Sequence, residues 1–390
     1  MEFRITEEQT MMVETARRIG AEYGLDYWRG KDARKEFPAE AWKAICAAGL
    51  CGVALPAEAG GSGLGMLDLA MVVEALCAGG GGSTLAQVYM CNPIFGGVSI
   101  SRYGTERMKT EILPKIVSGE INCCMALTEP DAGSNSLALR TFARRDGDGW
   151  RLNGRKIWIT AVDQAQQMLV VARTKKLEES NGKTDGISLF LIEVGRKGES
   201  HSAIEKLGTN TLSACNVFFD DVRLEPEDLV GTLDGGWRQL LNVLNTERIV
   251  TSAGLIGTVG LATRVAVEYA SQRKVFGDTP VGAYQAVQFP LAQAHAEAEC
   301  ARLMNYKAAW LYDQGQPYGS QANMAKLIAA RACSYATERA MQAMGGMGFA
   351  KESHLERLWR DCRLFRFAPV SDEMALNYVA QYDLGMPRSY

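Results

Sequence analysis

An excess of positive charge is missing: Lys and Arg number 42 against 45 Asp and Glu, a net −3. A nucleic-acid binder would carry a basic face, so that class is set aside and no nucleic-acid partner is expected. No apolar run reaches the roughly 18–20 residues that span a bilayer, and no integral membrane segment is expected. The opening stretch MEFRITEEQ lacks a basic segment followed by an apolar one, so no secretory signal is expected. Histidine is scarce. The 3 present, His201, His295 and His354, lie far apart, which speaks against a His-based zinc site, and no metal is expected. None of the 10 cysteines falls in a C-x-x-C pair, and they are expected as reduced thiols in a cytoplasmic protein. G-x-G-x-x-G, G-x-S-x-G and H-E-x-x-H are all absent, which removes the usual marks of a nicotinamide site, a serine hydrolase and a zinc protease. Gly182-Lys183-Thr184 looks like the end of a phosphate loop, but Leu177 stands where its upstream glycine belongs.

What is present is ordinary globular material: 390 residues, 47% hydrophobic and 22% charged, enough for two to three domains. The first ~120 residues carry helical signals. Thr6-x-x-Gln9 is a capping box, Pro38 suits a first helical position, and Gly49 suits a C-cap. A glycine-rich loop follows Pro56, and the spacing predicts a helix over Leu67–Cys77, ended by Gly79–Gly82. The middle of the chain changes character. Trp150 and Leu152, then Asn153-Gly154, then Ile157 and Ile159 predict a β-hairpin with a tight turn. Met168–Ala172, Ile187–Val194 and Val217–Val222 are short β-rich runs with no helical pattern between, which predicts an antiparallel β domain. Long helices are predicted over Trp237–Gln272, Tyr284–Gln314, Gln321–Met344 and Asp372–Tyr382, an antiparallel bundle. The expected organisation is α+β: a helical domain over 1–120, a β domain over 121–232 and a helical bundle over 233–390.

Several segments could carry chemistry. Leu127–Asn135, fixed by Pro130 and Gly133, is either a surface turn or a loop that grips a polar ligand. Trp158-Ile159-Thr160 offers either a core indole or a flat face for an aromatic cofactor, with a hydroxyl for its polar edge. Arg273 stands between two long helices, either as a surface cation or as a fork for phosphate. The glycines of Met341–Phe349 either end a helix or admit a ligand. Glu247-Arg248 interrupts an apolar helix, and Gly254 falls on the face of Glu247 seven residues on. That face leaves room for something thin, or Glu247 is simply paired to a neighbouring Arg.

Taken in order, these segments resemble the acyl-CoA dehydrogenase family over nearly the whole chain. The match includes the Pro56…Gly60-Gly61 loop, Leu127–Ser134, Trp158–Thr160, Lys206-Leu207-Gly208, Phe219–Val222, Arg273–Gly277, Gln285, Gln342–Gly348 and Trp359-Arg360-Asp361. The resemblance implies three parts (helical, β and four-helix bundle), a homotetramer, and non-covalent FAD. It implies that Met125, Leu127, Thr128, Gly133, Ser134, Trp158, Ile159 and Thr160 line the flavin. It also implies that Arg273, Phe276, Gln342, Gly345 and Gly346 reach a neighbouring subunit's FAD, with Gln285, and Ser371 and Glu373 in the tail, as further cofactor contacts. Ser134, Asn245 and Arg248 would contact the CoA thioester. The implied reaction is α,β-dehydrogenation of an acyl-CoA, with electrons passed to an electron-transferring flavoprotein. Most members carry the base in a Tyr-Glu-Gly-Thr segment near the C-terminus, and here Pro369 stands in the place of that glutamate. Isovaleryl-CoA dehydrogenase instead places it in a Leu-Glu-Arg motif on the first bundle helix, where Thr246-Glu247-Arg248 falls here, so Glu247 is the implied base. Asn245 replaces a common Asp, and Asn210 a common Arg. Ser371–Met374 also looks like the crotonobetainyl-CoA reductase branch, which keeps an enoyl-CoA reductase open, alongside a non-redox acyl-CoA-binding flavoprotein.

Overall fold

The computed structural model describes residues 4–388. Local chemistry sets the start of the chain. The Thr6 hydroxyl accepts the Gln9 N–H at 3.1 Å and the Gln9 side chain accepts the Thr6 N–H at 3.0 Å, opening α1 (Glu7–Glu22). After α2 (Leu25–Arg34), Pro38 is the N-cap of α3 (Ala39–Ala47), one residue before its expected position, and Gly49 turns the chain with φ +74°. Two further helices, α4 (Met66–Leu76) and α5 (Ser83–Tyr89), lead into a π-helical stretch, Met90–Val98, that contains Pro93. Then come α6 (Ser99–Tyr103) and α7 (Leu113–Ser118).

The middle segment forms β1 (Cys123–Ala126), β2 (Phe142–Asp146), β3 (Gly149–Thr160), β4 (Gln167–Arg173), β5 (Ile187–Glu193), β6 (Glu199–Ala203), β7 (Ala214–Leu224) and β8 (Leu229–Val230). Their order is β6-β7-β3-β2-β4-β5-β8, with β1 joined to β4. Most pairings are antiparallel, as expected, while β1–β4 and the single β2–β4 contact are parallel. The hairpin lies elsewhere than the sequence suggested. The turn is Gly147-Asp148, between β2 and β3, and Asn153-Gly154 sits inside one continuous strand. There the register against β7 slips, Gly154 takes φ +155°, and a Cβ on it would come within 2.5 Å of the Thr141 hydroxyl. The dipeptide that signals a turn here makes a bulge.

β4 and β5 are buried on both faces, which explains their unbroken apolar runs. Leu169, Val171, Leu189 and Leu191 join the core shared with the helices, and Met168, Val170, Phe190 and Ile192 fill a second core inside the β domain.

The bundle consists of α8 (Gly236–Gln272), α9 (Gln285–Asp313), α10 (Gly319–Met344), α11 (Leu355–Arg363) and α12 (Asp372–Tyr382), with the short strands β9 (Lys274–Val275) and β10 (Thr279–Pro280) between α8 and α9. Among the described residues α8 is long and apolar enough to cross a membrane, contrary to the expectation from the sequence, but 78% of that stretch is buried inside the protein. α8 is a core helix: Val250, Ala253, Leu255 and Ile256 lie in the main core. Asp361 on α11 ties three parts of the chain together. It accepts the Thr84 hydroxyl at 2.8 Å and the Thr209 N–H at 2.5 Å, and it faces Arg357, which donates to the Gly80 and Gly81 carbonyls.

Candidate active site

The loop after β1 is fixed from below by a buried ion pair. The Lys156 ammonium, fully enclosed, donates to Glu129 Oε1 at 2.8 Å and to the Leu127 carbonyl at 2.9 Å. Glu129 also accepts the Arg140 and Thr141 N–H groups at 2.6 and 2.9 Å. Burial opposes its charge, but Lys156 and these N–H donors hold its carboxyl below the usual range. Burial outweighs Glu129 at Lys156 and lowers that ammonium to about 8. The Ile157 N–H donates to the Thr128 carbonyl at 2.9 Å, so the loop and the end of β3 lie side by side.

At that end the register slips again, between Lys156 and Ile159. Trp158 takes φ +60° and stands 53% exposed, while Ile159 stays buried. A bulky side chain in left-handed backbone is held there by its surroundings and turned off the sheet. The structure thus sets Leu127 and Thr128 beside the end of β3 that carries Trp158 and Thr160, while Ile159 turns into the β-domain core and Met125 packs against the main core. Among the described residues, the hydroxyls of Thr128, Ser134 and Thr160 make no hydrogen bond. An exposed indole beside unpaired hydroxyls fits a flat, polar-edged cofactor.

Glu247 lies on α8, 3% exposed. Neither carboxyl oxygen has a hydrogen-bond partner among the described residues, and Oε2 is sealed from solvent. Burial pushes the carboxyl up to about 8, opposed by the charges of Arg248 and Lys326. The structural alternative, a Glu247 tied into an ion pair, is not what forms. Arg248 bonds the Asn245 side-chain oxygen instead, and its Nε is buried without a partner. The π-helical stretch bridges Glu247 to β1: Cys91 lies close enough to feel the Glu247 charge, and Asn92 Oδ1 accepts the Cys123 N–H at 2.8 Å.

One expectation fails. Gly254 leaves no room for a ligand, because a Cβ there would lie 2.3 Å from Ala86 Cβ. Its missing side chain lets α5 touch α8. That contact seats Met90, one turn on, so that its Sδ accepts the Thr251 hydroxyl at 3.3 Å.

The tail segment Ser371–Met374 holds two acids, Asp372 and Glu373. Pro369 lies in the loop between α11 and α12. Asp372 is buried between Arg366 at 2.8 Å and Arg331 at 3.2 Å, and Glu373 is exposed. Ser371 caps α12 by accepting the Met374 N–H at 3.2 Å.

Arg273, Phe276 and Gln285 stand apart from the Trp158 rim. Phe276 is 94% exposed, and among the described residues no hydrogen bond or ring contact joins these three to that rim. Gln342 and Gly345 line a cavity of about 740 Å³ with Leu207, Trp359 and Arg360, and Gly346 beside it has open space around it. Sequence reasoning missed two residues, Lys156 and Lys326. Lys326 is a lone cation among apolar residues, which was the available signal, whereas Lys156 follows Arg155 in a mixed stretch and carried none.

Models of three domains match: the acyl-CoA dehydrogenase N-terminal domain over 6–120, the middle domain over 124–222 and the C-terminal domain over 234–382. An acyl-CoA dehydrogenase of Mycobacterium tuberculosis is 43% identical over 372 residues, 95% of this chain and 94% of that one. The solved structure of a glutaryl-coenzyme A dehydrogenase in complex with glutaryl-CoA superposes with TM-score 0.94 at 30% identity, covering 100% of this chain and 98% of that one. A glutaryl-CoA dehydrogenase of Mycobacterium smegmatis in complex with FADH2 gives 0.91 at 26% identity, covering 99% and 97%.

Proposed function

The chain belongs to the acyl-CoA dehydrogenase family of oxidoreductases, and from that premise we propose that it converts an acyl-CoA thioester to the trans-2-enoyl-CoA with Glu247 as the base. The observation that carries this reading is the Glu247 carboxyl itself, buried, unpaired and raised in proton affinity to about 8. A catalytic base works best with a proton affinity near the working pH. The acids of the tail do not compete, since two guanidiniums hold Asp372 and Glu373 faces solvent.

Bound FAD would supply the hydride acceptor for the β-hydrogen. Leu127, Thr128, Ser134 and Thr160 would bind its polar edge, and the Trp158 indole would cover its ring. Glu247 would take the α-proton. Arg248, with a free Nε and only a neutral amide as partner, keeps its charge available to the polar part of the substrate. We read the exposed Arg273, Phe276 and Gln285, and the open turn at Gln342, Gly345 and Gly346, as the contribution of one subunit to the flavin of its neighbour in a homotetramer. The electron acceptor proposed is an electron-transferring flavoprotein, and the proposed location is the cytoplasm.

The test is a panel of acyl-CoA thioesters mixed anaerobically with the flavin-loaded protein and followed by bleaching of the flavin absorbance. Glu247→Gln should bind FAD and ligand and lose at least about 10²-fold in flavin reduction and α-deuterium exchange. A variant that keeps wild-type rates removes Glu247 from this role. Faster oxidation by enoyl-CoAs than reduction by any acyl-CoA would assign the reverse, reductase direction.

A further inference from the structure

Beyond Glu247 the face of α8 is closed by α5 and the segments next to it. Residues on one face of a helix recur four and seven positions on, about 6 and 10.5 Å further along the axis. From Glu247 these are Thr251 and Gly254. Thr251 is met by Met90 of the π-helical stretch, whose Sδ accepts its hydroxyl at 3.3 Å. Gly254 is met by Ala86 and Cys77, whose Cβ and Sγ lie 2.3 and 3.4 Å from the place of a Cβ. One turn on, a Cβ at Gly257 would lie 2.4 Å from the Glu74 carbonyl oxygen and 3.0 Å from Cys77 Cβ. All of Cys77, Ala86, Met90 and Thr251 are buried. The opposite face is taken by α9, where Asn305 Nδ2 donates to the Ile249 carbonyl at 3.1 Å.

The two halves of α8 differ in kind. Before Ile249 the polar groups gather: Asn242 Nδ2 donates to the Tyr103 hydroxyl at 2.6 Å, Arg248 bonds Asn245, and the Tyr378 hydroxyl and the Asn245 amide both lie against Gly319. From Ile249 to Val259 every residue is buried. An acyl thioester has a polar carrier at one end and hydrocarbon at the other. The carrier belongs with the first set, because its polar groups would lose their partners in the second, and the hydrocarbon then points from Glu247 toward Thr251.

We propose that Met90, backed by Ala86 and Cys77, sets the acyl length, and that the substrates are short acyl thioesters of about four to six carbons in all. This rests on the reading of Glu247 as the base, which places the α-carbon at its carboxyl. From that level to the level of Met90 is about 6 Å, and an extended chain advances about 1.2 Å per bond. The last carbon must also stay about 3.5–4.0 Å from its neighbour. About two to four carbons therefore fit past the α-carbon. Met90 is unbranched and turns readily, so it is the part of this wall that can yield. Ala86 has no rotamer to change. A chain that displaces Met90 gains the distance from Thr251 to Gly254, about 4.5 Å or three to four carbons, and stops there.

The experiment uses flavin-loaded wild type, Met90→Ala, Met90→Val and Met90→Leu, with straight-chain trans-2-enoyl-CoA thioesters from four to sixteen carbons. With the flavin oxidised these bind without net reduction, and calorimetry reads affinity apart from turnover. Flavin reduction by the matching saturated thioesters is followed in parallel. In wild type each added methylene should tighten binding about fourfold, and the gain should end near about six carbons. Met90→Ala should carry the gain on by about three carbons and no further. Met90→Leu, of similar volume, should keep the wild-type limit. Met90→Val, shorter in reach by two atoms, should extend it by about one or two carbons and carries the test if Met90→Ala does not fold. Affinity that climbs without a break to sixteen carbons in wild type, or a limit that Met90→Ala and Met90→Val leave in place, would overturn the proposal. The two readings fail separately. Binding with the expected limit but no flavin reduction by any saturated thioester removes the dehydrogenase and keeps the limit. Equal flavin reduction by short and long thioesters keeps the dehydrogenase and removes the limit.

Discussion

Gly254→Ala tests the contact that the sequence alone misread. The added Cβ would lie 2.3 Å from Ala86 Cβ, 3.4 Å from Cys77 Sγ and 3.6 Å from Ala86 Cα. Carbon atoms in contact prefer about 3.5–4.0 Å. The overlap with Ala86 is therefore more than about 1 Å, and it falls on an atom with no rotamer to change, so α5 or α8 must move as a body. Overpacking of this kind costs about 1–3 kcal/mol. Replacing Gly by Ala in a helix returns about 0.8–1.0 kcal/mol, so the single variant should be destabilised by up to about 2 kcal/mol. The cycle with Ala86→Gly isolates the contact. Clearing the facing methyl removes the clash, and the coupling should be about 1–3 kcal/mol in favour of the double variant. Urea unfolding at one fixed protein concentration measures it. Flavin reduction should follow the same pattern, because moving α5 shifts Met90 off Thr251, four residues from Glu247. A coupling near zero would mean that the helices do not touch at Gly254 and that α5 is not seated against α8 there.

Glu247 should also leave a mark on stability. Its folded proton affinity is raised above the unfolded value, so its contribution is complete below about 4.5 and is lost as pH rises through about 8. Glu247→Gln stays neutral, so its melting temperature should rise relative to wild type between those limits; a constant difference would refute the shift. Lys156→Met leaves Glu129 buried and charged, and about 3–5 kcal/mol of stability should go with it, read by urea unfolding. Arg273→Ala should weaken FAD binding about tenfold or more by fluorescence titration if the guanidinium meets a phosphate group, and unchanged affinity would count against the proposed interface.

Much of the fold was legible because its signals are local. The capping box at Thr6 and Gln9, the apolar runs of β4 and β5, and the ends of α12 depend on residues within a turn or a strand. The Asn153-Gly154 turn signal failed because its conformation is decided by Thr141 and by β7, distant in sequence. Within Ser83–Ser118 no single helix was predicted, and there π-helical turns break the 3.6-residue repeat. At the site, Glu247 was visible as an acid in an apolar helix, whereas the role of Gly254 depended on Ala86, a residue with no signal of its own. Lys326 could be noticed as a cation among alanines, but its partners, the carbonyls of Phe365 and Val370, belong to an irregular loop that no periodicity places.

The bonds of Asp361 bear on how far the protein can be divided. Its oxygens serve Thr84 from the first helical part and Thr209 from the β part, while Asp361 itself belongs to the bundle. A piece of chain ending anywhere between them would strip a carboxylate, or a hydroxyl and an N–H, of its partners and open its buried surface to water. The three parts are thus separable in topology but not in energy. Fragments made by cutting the connections should fold only when recombined, and the intact chain should melt as one cooperative unit.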